Sequence, residues 1–182
     1  MSKPATTVDL ASFKKQLADS IERSAKSAGQ TIVKESLTCE IANGLQVVTA
    51  ALHRDELPTE KEITAGVDLL YAYVSIDGQR AVPPGFYRIR LALPGYKKKG
   101  DVKVSFIDSK GKIVHSLTGK GKPQLLKPDT DDATLRNYNV EVGVCSRRTG
   151  KCFYLFRVGF LDWQWGCRDR NGNEINCIDS QP

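Results

Sequence analysis

From residue 66 onward the chain is a succession of short β-branched and aromatic runs cut by glycine, proline, asparagine and aspartate. LLYAYVSIDGQ, GFYRIRLALPG, DVKVSFIDSKGKIVHSL, NYNVEVGV and CFYLFRVGF follow one another in this way. In FYRIRLAL, Tyr87, Ile89, Leu91 and Leu93 alternate with Arg88, Arg90 and Ala92. A period of two gives a strand one dry face and one wet face. DSKG at 108–111 reads as a tight turn between two strands. Strands of this length joined by turns predict an antiparallel β-sandwich of immunoglobulin-like type. Its buried face is expected to hold Tyr87, Ile89, Leu91, Val104, Phe106, Val140, Val142, Phe156 and Val158.

The N-terminal part follows a different period. Leu10, Phe13, Leu17, Ile21 and Ala25 recur in steps of three and four between charged residues, which is one apolar stripe on a helix. Asp9 is placed to cap its start and Gly29 to end it. Residues 30–57 contain TIVKESLTCEI and GLQVVTAAL, apolar runs whose period suits helix or strand. Thr59, followed three residues later by Glu62, forms a capping box and starts a short helix. The expected layout is therefore α+β. A helical N-terminal segment over 1–57 docks through Leu10, Phe13, Leu17 and Ile21, on its own sandwich or on a neighbouring subunit. A β-sandwich domain occupies 58–182.

Charge is unevenly placed. The net formal charge is +6. Residues 58–128 hold 13 Lys/Arg against 6 Asp/Glu, whereas the flanking segments nearly balance. Lys97, Lys98, Lys99, Lys103, Lys120 and Lys122 form the densest group, with Lys110, Lys112 and Lys127 nearby. Lysine-rich loops attract polyanions through charge without reading sequence. The competing reading is a solubilising surface.

The five cysteines bear on compartment. In CRDRNGNEINC, counting a three-residue tip of Asn171-Gly172-Asn173 sets Arg170 opposite Glu174 and Cys167 opposite Cys177. That register predicts a disulfide. Cys145 and Cys152 flank SRRTGK, and two registers compete there. One aligns the cysteines and sets Val142 against Leu155. The other, shifted by one residue, sets Val140 against Val158 and separates the cysteines; a bulge at Gly150 would reconcile them. Zinc sites favour closer cysteine pairs. Asp169, Asn171 and Asn173 imitate the start of a calcium loop, but Glu174 stands where glycine is required and Ser180 where glutamate is. No metal is expected, and Cys39 reads as a buried free thiol. Disulfides imply an oxidising compartment, whereas the first thirty residues hold no apolar stretch of a secretory signal. The cysteine placement tips the expectation toward an extracytoplasmic setting.

Catalytic motifs are missing. The sequence has no nucleophile elbow, phosphate-binding glycine loop or paired-histidine zinc motif. His53 and His115 read as a surface and a strand residue, and DTDD at 129–132 as a solvated turn. No apolar run approaches the roughly 20 residues that cross a bilayer. Trp163 and Trp165, two apart on a strand, suit either a stacking platform or core packing. The expectation is a non-enzymatic protein without cofactor, acting by contact as a structural subunit or binding module with a protein partner or itself. The alternative is a polyanion binder, for nucleic acid or an anionic membrane surface.

Overall fold

The computed structural model describes residues 10–42, 44–123, 138–145, 150, 152–158 and 163–175. Helix α1, Leu10–Ser27, leads into strands β1, Ile32–Ala42, and β2, Leu45–Leu52, and then a short helix α2, Glu60–Ala65. Strands β3, Val67–Ile76, β4, Gly85–Ala92, β5, Gly100–Ile107, and β6, Ile113–Pro123, follow. The last four are β7, Tyr138–Cys145, β8, Cys152–Val158, β9, Trp163–Arg168, and β10, Glu174–Ile175. The arrangement is α+β: a helix, then one antiparallel sheet with its strands in chain order from β1 to β10.

One expectation is met only in its coarser part, an antiparallel sheet, and another is corrected. The second sheet of a sandwich is not seen among the described residues. The described strands pair in chain order, each with the next, in a single sheet. Among the described residues of the helical segment expected over 1–57, helix is confined to Leu10–Ser27, because β1 and β2 belong to the same sheet as β3. β2 reads ambiguously because both of its faces are covered. Leu45, Val47 and Ala51 enter the main core, while Val48 and Leu52 lie against α1. β1 reads ambiguously because its register shifts between Val33 and Thr38. There Ser36 donates its hydroxyl to the Val33 carbonyl and accepts the Ala51 N–H at 2.8 Å.

The main core lies on one face of the sheet. Pairing aligns Ala51, Leu70, Ile89 and Phe106 in one row across four strands, and Leu91 with Val104 in another. Val140 of β7 joins the same cluster, and β1 comes back alongside β9. The sheet therefore coils on its inner face, as a right-handed twist accumulated over many strands requires. Tyr87, Ile89, Leu91, Val104, Phe106 and Val140 are buried as expected. Val142, Phe156 and Val158 lie on β7 and β8, with side chains outside the described residues.

On the outer face α1 covers β2 and β3. Ile21 and Ala25 are buried against Val48, Leu52 and Tyr71, with Leu17 beside them. Ser24 and Tyr71 share a hydrogen bond of 2.7 Å between their hydroxyls. Phe13 is half-exposed, and Asp9 and the Leu10 side chain lie outside the described residues.

α2 starts with the expected capping box. Thr59 Oγ1 accepts the Glu62 N–H at 3.1 Å, and Glu62 Oε2 accepts the Thr59 N–H at 2.7 Å. The backbone hydrogen bond from Thr59 holds the Glu62 carboxyl below the usual glutamate range. A folded-state value below the unfolded one stabilises above the ordinary range, and that contribution is lost as pH falls through the lowered value. The stability difference between wild type and Glu62→Ala should therefore shrink in denaturant titrations taken from about pH 7 to about pH 3. A difference independent of pH would show that the carboxylate plays no part in the cap. Thr59→Ala should cost about 0.5–2 kcal/mol.

Candidate basic surface

The outer face changes character beyond α1. Along β4 the outward positions are Arg88 and Arg90, opposite Ile107 and Ser105 of β5. Asp68 on β3 holds both arginines, with Arg88 Nη1 at 2.9 Å from Oδ2 and Arg90 Nε at 2.7 Å from Oδ1. The hydrogen bond to Asp68 pushes Arg90 further above the usual guanidinium value. One carboxylate shared by two guanidinium groups leaves this row a net positive charge. Ser105 and Ser116 continue it, hydroxyl to hydroxyl at 2.9 Å.

The next rows carry the lysines. Val102 and Val104 are buried, so Lys103 between them faces outward, opposite Ala92 and Thr118. Asp101 stands opposite Lys120 and forms an ion pair with it. Lys120 also stands opposite Glu141 of β7, and Lys122 opposite Asn139. Gly100 pairs with Gly121, which brings the end of the 93–99 loop alongside Lys120 and Lys122.

That loop is anchored at several points. Leu93 is buried and its N–H donates to the Ile63 carbonyl of α2 at 2.9 Å. Tyr96 packs on the core and donates its hydroxyl to the Pro58 carbonyl at 2.8 Å. Gly95 is buried at φ 147°, and a Cβ there would meet Glu60 Oε1 at 2.7 Å. The positive φ favours glycine there, and any larger residue would also have to displace the Glu60 carboxylate. Lys97, Lys98 and Lys99 follow at once and are all exposed. The fold thus gathers Lys97, Lys98, Lys99, Lys103, Lys120 and Lys122 at one end of the β5–β6 pair. Lys110 and Lys112 sit at its other end, in the turn whose backbone N–H groups Asp108 accepts at 2.9 Å. Among the described residues Lys97, Lys99, Lys103 and Lys122 make no ion pair. Thr64, Pro94, Lys103 and Thr118 line an open groove of about 380 Å³ in this surface.

The other sequence candidates are placed as follows. Cys145 stands directly opposite Cys152, with Val142 opposite Leu155, and the register then shifts between Asn139 and Val142 to set Tyr138 against Val158. The register that aligns the cysteines occurs, but the competing one, with Val140 against Val158, does not: the slip runs the other way, through a bulge within β7 rather than at Gly150. The hairpin at 167–177 is in a different register from the one counted. Cys167 stands opposite Ile175, and Arg168 opposite Glu174. Asp169 causes the shift: its Oδ1 accepts the N–H groups of Asn171 at 2.8 Å and Asn173 at 2.9 Å. Its own N–H donates to the Asn173 carbonyl at 2.9 Å, so the tip is Arg170-Asn171-Gly172, with Gly172 at φ 83°. Cys177 lies outside the described residues. The hydrogen bond from the Asn173 backbone is the main cause that holds the Asp169 carboxyl below its usual range.

Cys39 is a half-buried free thiol that burial pushes upward in pKa. Trp163 and Trp165 lie two apart on β9, with side chains outside the described residues. His53 is exposed beside Asp55, and His115 is half-buried on β6 opposite Phe106. The DTDD stretch lies outside the described residues. Among the described residues no group of three or more His, Cys, Asp or Glu is arranged to hold a metal ion, and no helix is long and apolar enough to cross a membrane. The sequence reading missed the Asp68 clamp and the anchoring of the 93–99 loop. Asp68 at the head of an apolar run, with arginines alternating twenty residues later, was the available signal for the clamp. Comparison of the chain with family models, curated proteins and solved structures finds no match.

Proposed function

We propose that this protein is a non-enzymatic binding module that holds a polyanion, with nucleic acid as the ligand class, against the lysine-bearing end of β5 and β6. The observation that carries the reading is the pairing of Gly100 with Gly121, which sets the Lys97–Lys99 loop beside Lys122 and Lys103. Like charges gathered on a rigid sheet repel one another, and a phosphate chain relieves that repulsion while releasing its own counterions. The groups offered are point charges and hydroxyls, which suit phosphates better than base edges. Binding without strong sequence preference follows.

The test is fluorescence anisotropy of a labelled DNA duplex between about 50 and about 200 mM salt. Affinity should fall steeply with salt. Replacing Lys97, Lys99, Lys103 and Lys122 together by glutamine should weaken binding at least tenfold and flatten the salt slope by roughly three to four units. All four side chains are exposed, so the thermal midpoint should hardly move. Binding that ignores salt, or is indifferent to the four substitutions, would defeat the proposal, and preferential uptake on anionic vesicles would transfer the site to membranes.

A second reading is assembly with a protein partner through α1, favoured by the half-exposed Phe13 ahead of the buried Ile21. For the finer architecture we propose a sandwich-like closure of the coiled sheet. It is supported by the core cluster shared between β2 and β7. Tyr87 adds support, since its hydroxyl returns to the Pro83 carbonyl as at the corners of immunoglobulin-like sandwiches.

A further inference from the structure

We infer that Cys145 and Cys152 are joined by a disulfide that closes the β7–β8 hairpin. The two positions stand directly opposite each other as the last pair of the ladder before the loop. Directly opposed residues in an antiparallel pair share a face, with Cβ atoms about 4.5–5.5 Å apart, close to the roughly 3.5–4.5 Å spanned by a disulfide. A slip of one residue at this point would put the cysteines on opposite faces. The strand does slip by one residue, but farther down, between Asn139 and Val142, and the aligned register is kept at the cysteines. Cys167 is no rival within the ladder. It stands opposite Phe153 on β9, one position from Cys152 and so on the other face of β8. Cys39 lies on β1 in the cluster under α1.

The oxidant is a small disulfide of the oxidised-glutathione class. The Cys145 thiolate attacks one of its sulfurs and expels one thiol. Cys152, deprotonated in turn, attacks the protein sulfur of the mixed disulfide and releases the second. Two protein thiols and one small disulfide thereby become one protein disulfide and two small thiols. A bond of this kind fits a compartment where thiols are not kept reduced. It is independent of the polyanion surface, which lies at the opposite end of the strands.

The full chain, equilibrated in glutathione buffer at the poise of an oxidising secretory compartment, then acid-quenched, alkylated and digested, decides the matter. The expected result is a linked peptide pair carrying Cys145 and Cys152, with Cys39 alkylated, and a thermal midpoint several degrees lower after reduction. The Cys145→Ser, Cys152→Ser double variant should lack the linked pair and show no such shift on reduction. Alkylation of both thiols in the wild-type protein would overturn the inference. Recovery of either one joined to Cys167 or Cys177 would overturn it equally. The peptide map of the wild-type chain suffices even if the double variant does not fold.

Discussion

Ile89→Ala is expected to lower the free energy of unfolding by about 2–5 kcal/mol. Ile89 is 3% exposed and sits in mid-sheet, in the row that runs from Ala51 through Leu70 to Phe106. Its neighbours come from strands locked to one another by backbone hydrogen bonds, so the space left by three lost carbons cannot close by moving a single element. The cost should sit toward the upper half of the range, since a cavity that does not collapse adds to the lost transfer energy. Lys103→Ala, exposed on the opposite face of the adjacent strand, is the matched control and should stay within about 0.5 kcal/mol. Chemical denaturation at neutral pH measures both. Equal small effects at the two positions would mean that the inner and outer faces of β4 and β5 have been exchanged.

That alternation was the most legible feature of the chain, and the reason lies in the outer face. Arg88 and Arg90 meet Asp68 and solvent, so the middle of β4 alternates charged with apolar positions and its period survives in the sequence. β2 has no such face: α1 covers one side and the core the other, and a strand buried on both sides loses its period. β1 loses its period at the bulge that Ser36 pins. The lysines were visible as a composition, but their assembly was not. The pairing of Gly100 with Gly121 depends on a register shift between Phe106 and Ile107 that no local pattern announces. Nor does sequence show that Lys120 is paired with Asp101, whereas Lys103 makes no ion pair among the described residues. The hairpin at 167–177 was misregistered for a comparable reason. Asn-Gly attracts the tip in a count of turn propensities, yet the Asp169 carboxylate captures two N–H groups and fixes the turn one residue earlier.

The role of α1 is decided by Ile21. Its side chain is fully buried, and with Leu17 and Ala25 it seals Val48, Leu52 and Tyr71 on the outer face. Ile21→Asp forfeits that burial and puts a carboxylate into an apolar seam, so it should cost about 4 kcal/mol or more. The hydroxyl pair of Ser24 with Tyr71 and the exposed ion pair of Glu22 with Lys34 add polar ties, and Ser24→Ala should cost only about 0.5–1.5 kcal/mol. Loss of the helix would uncover Tyr71, with Tyr73 and Phe86 beside it, whose rings lie 6.3 and 5.1 Å from one another across the β3–β4 pair, Tyr71 to Phe86 and Tyr73 to Phe86 respectively. An aromatic patch of that kind is an aggregation surface when bare. The variant should therefore bind a hydrophobic dye strongly, melt early and aggregate at concentrations where the wild type stays dispersed. A helix that served only as an arm for a partner would give a different result: Ile21→Asp would abolish assembly and leave the melting curve of the chain unchanged. The depth of Ile21 argues for the first outcome, because a side chain already sealed against its own sheet has no surface left to offer another molecule.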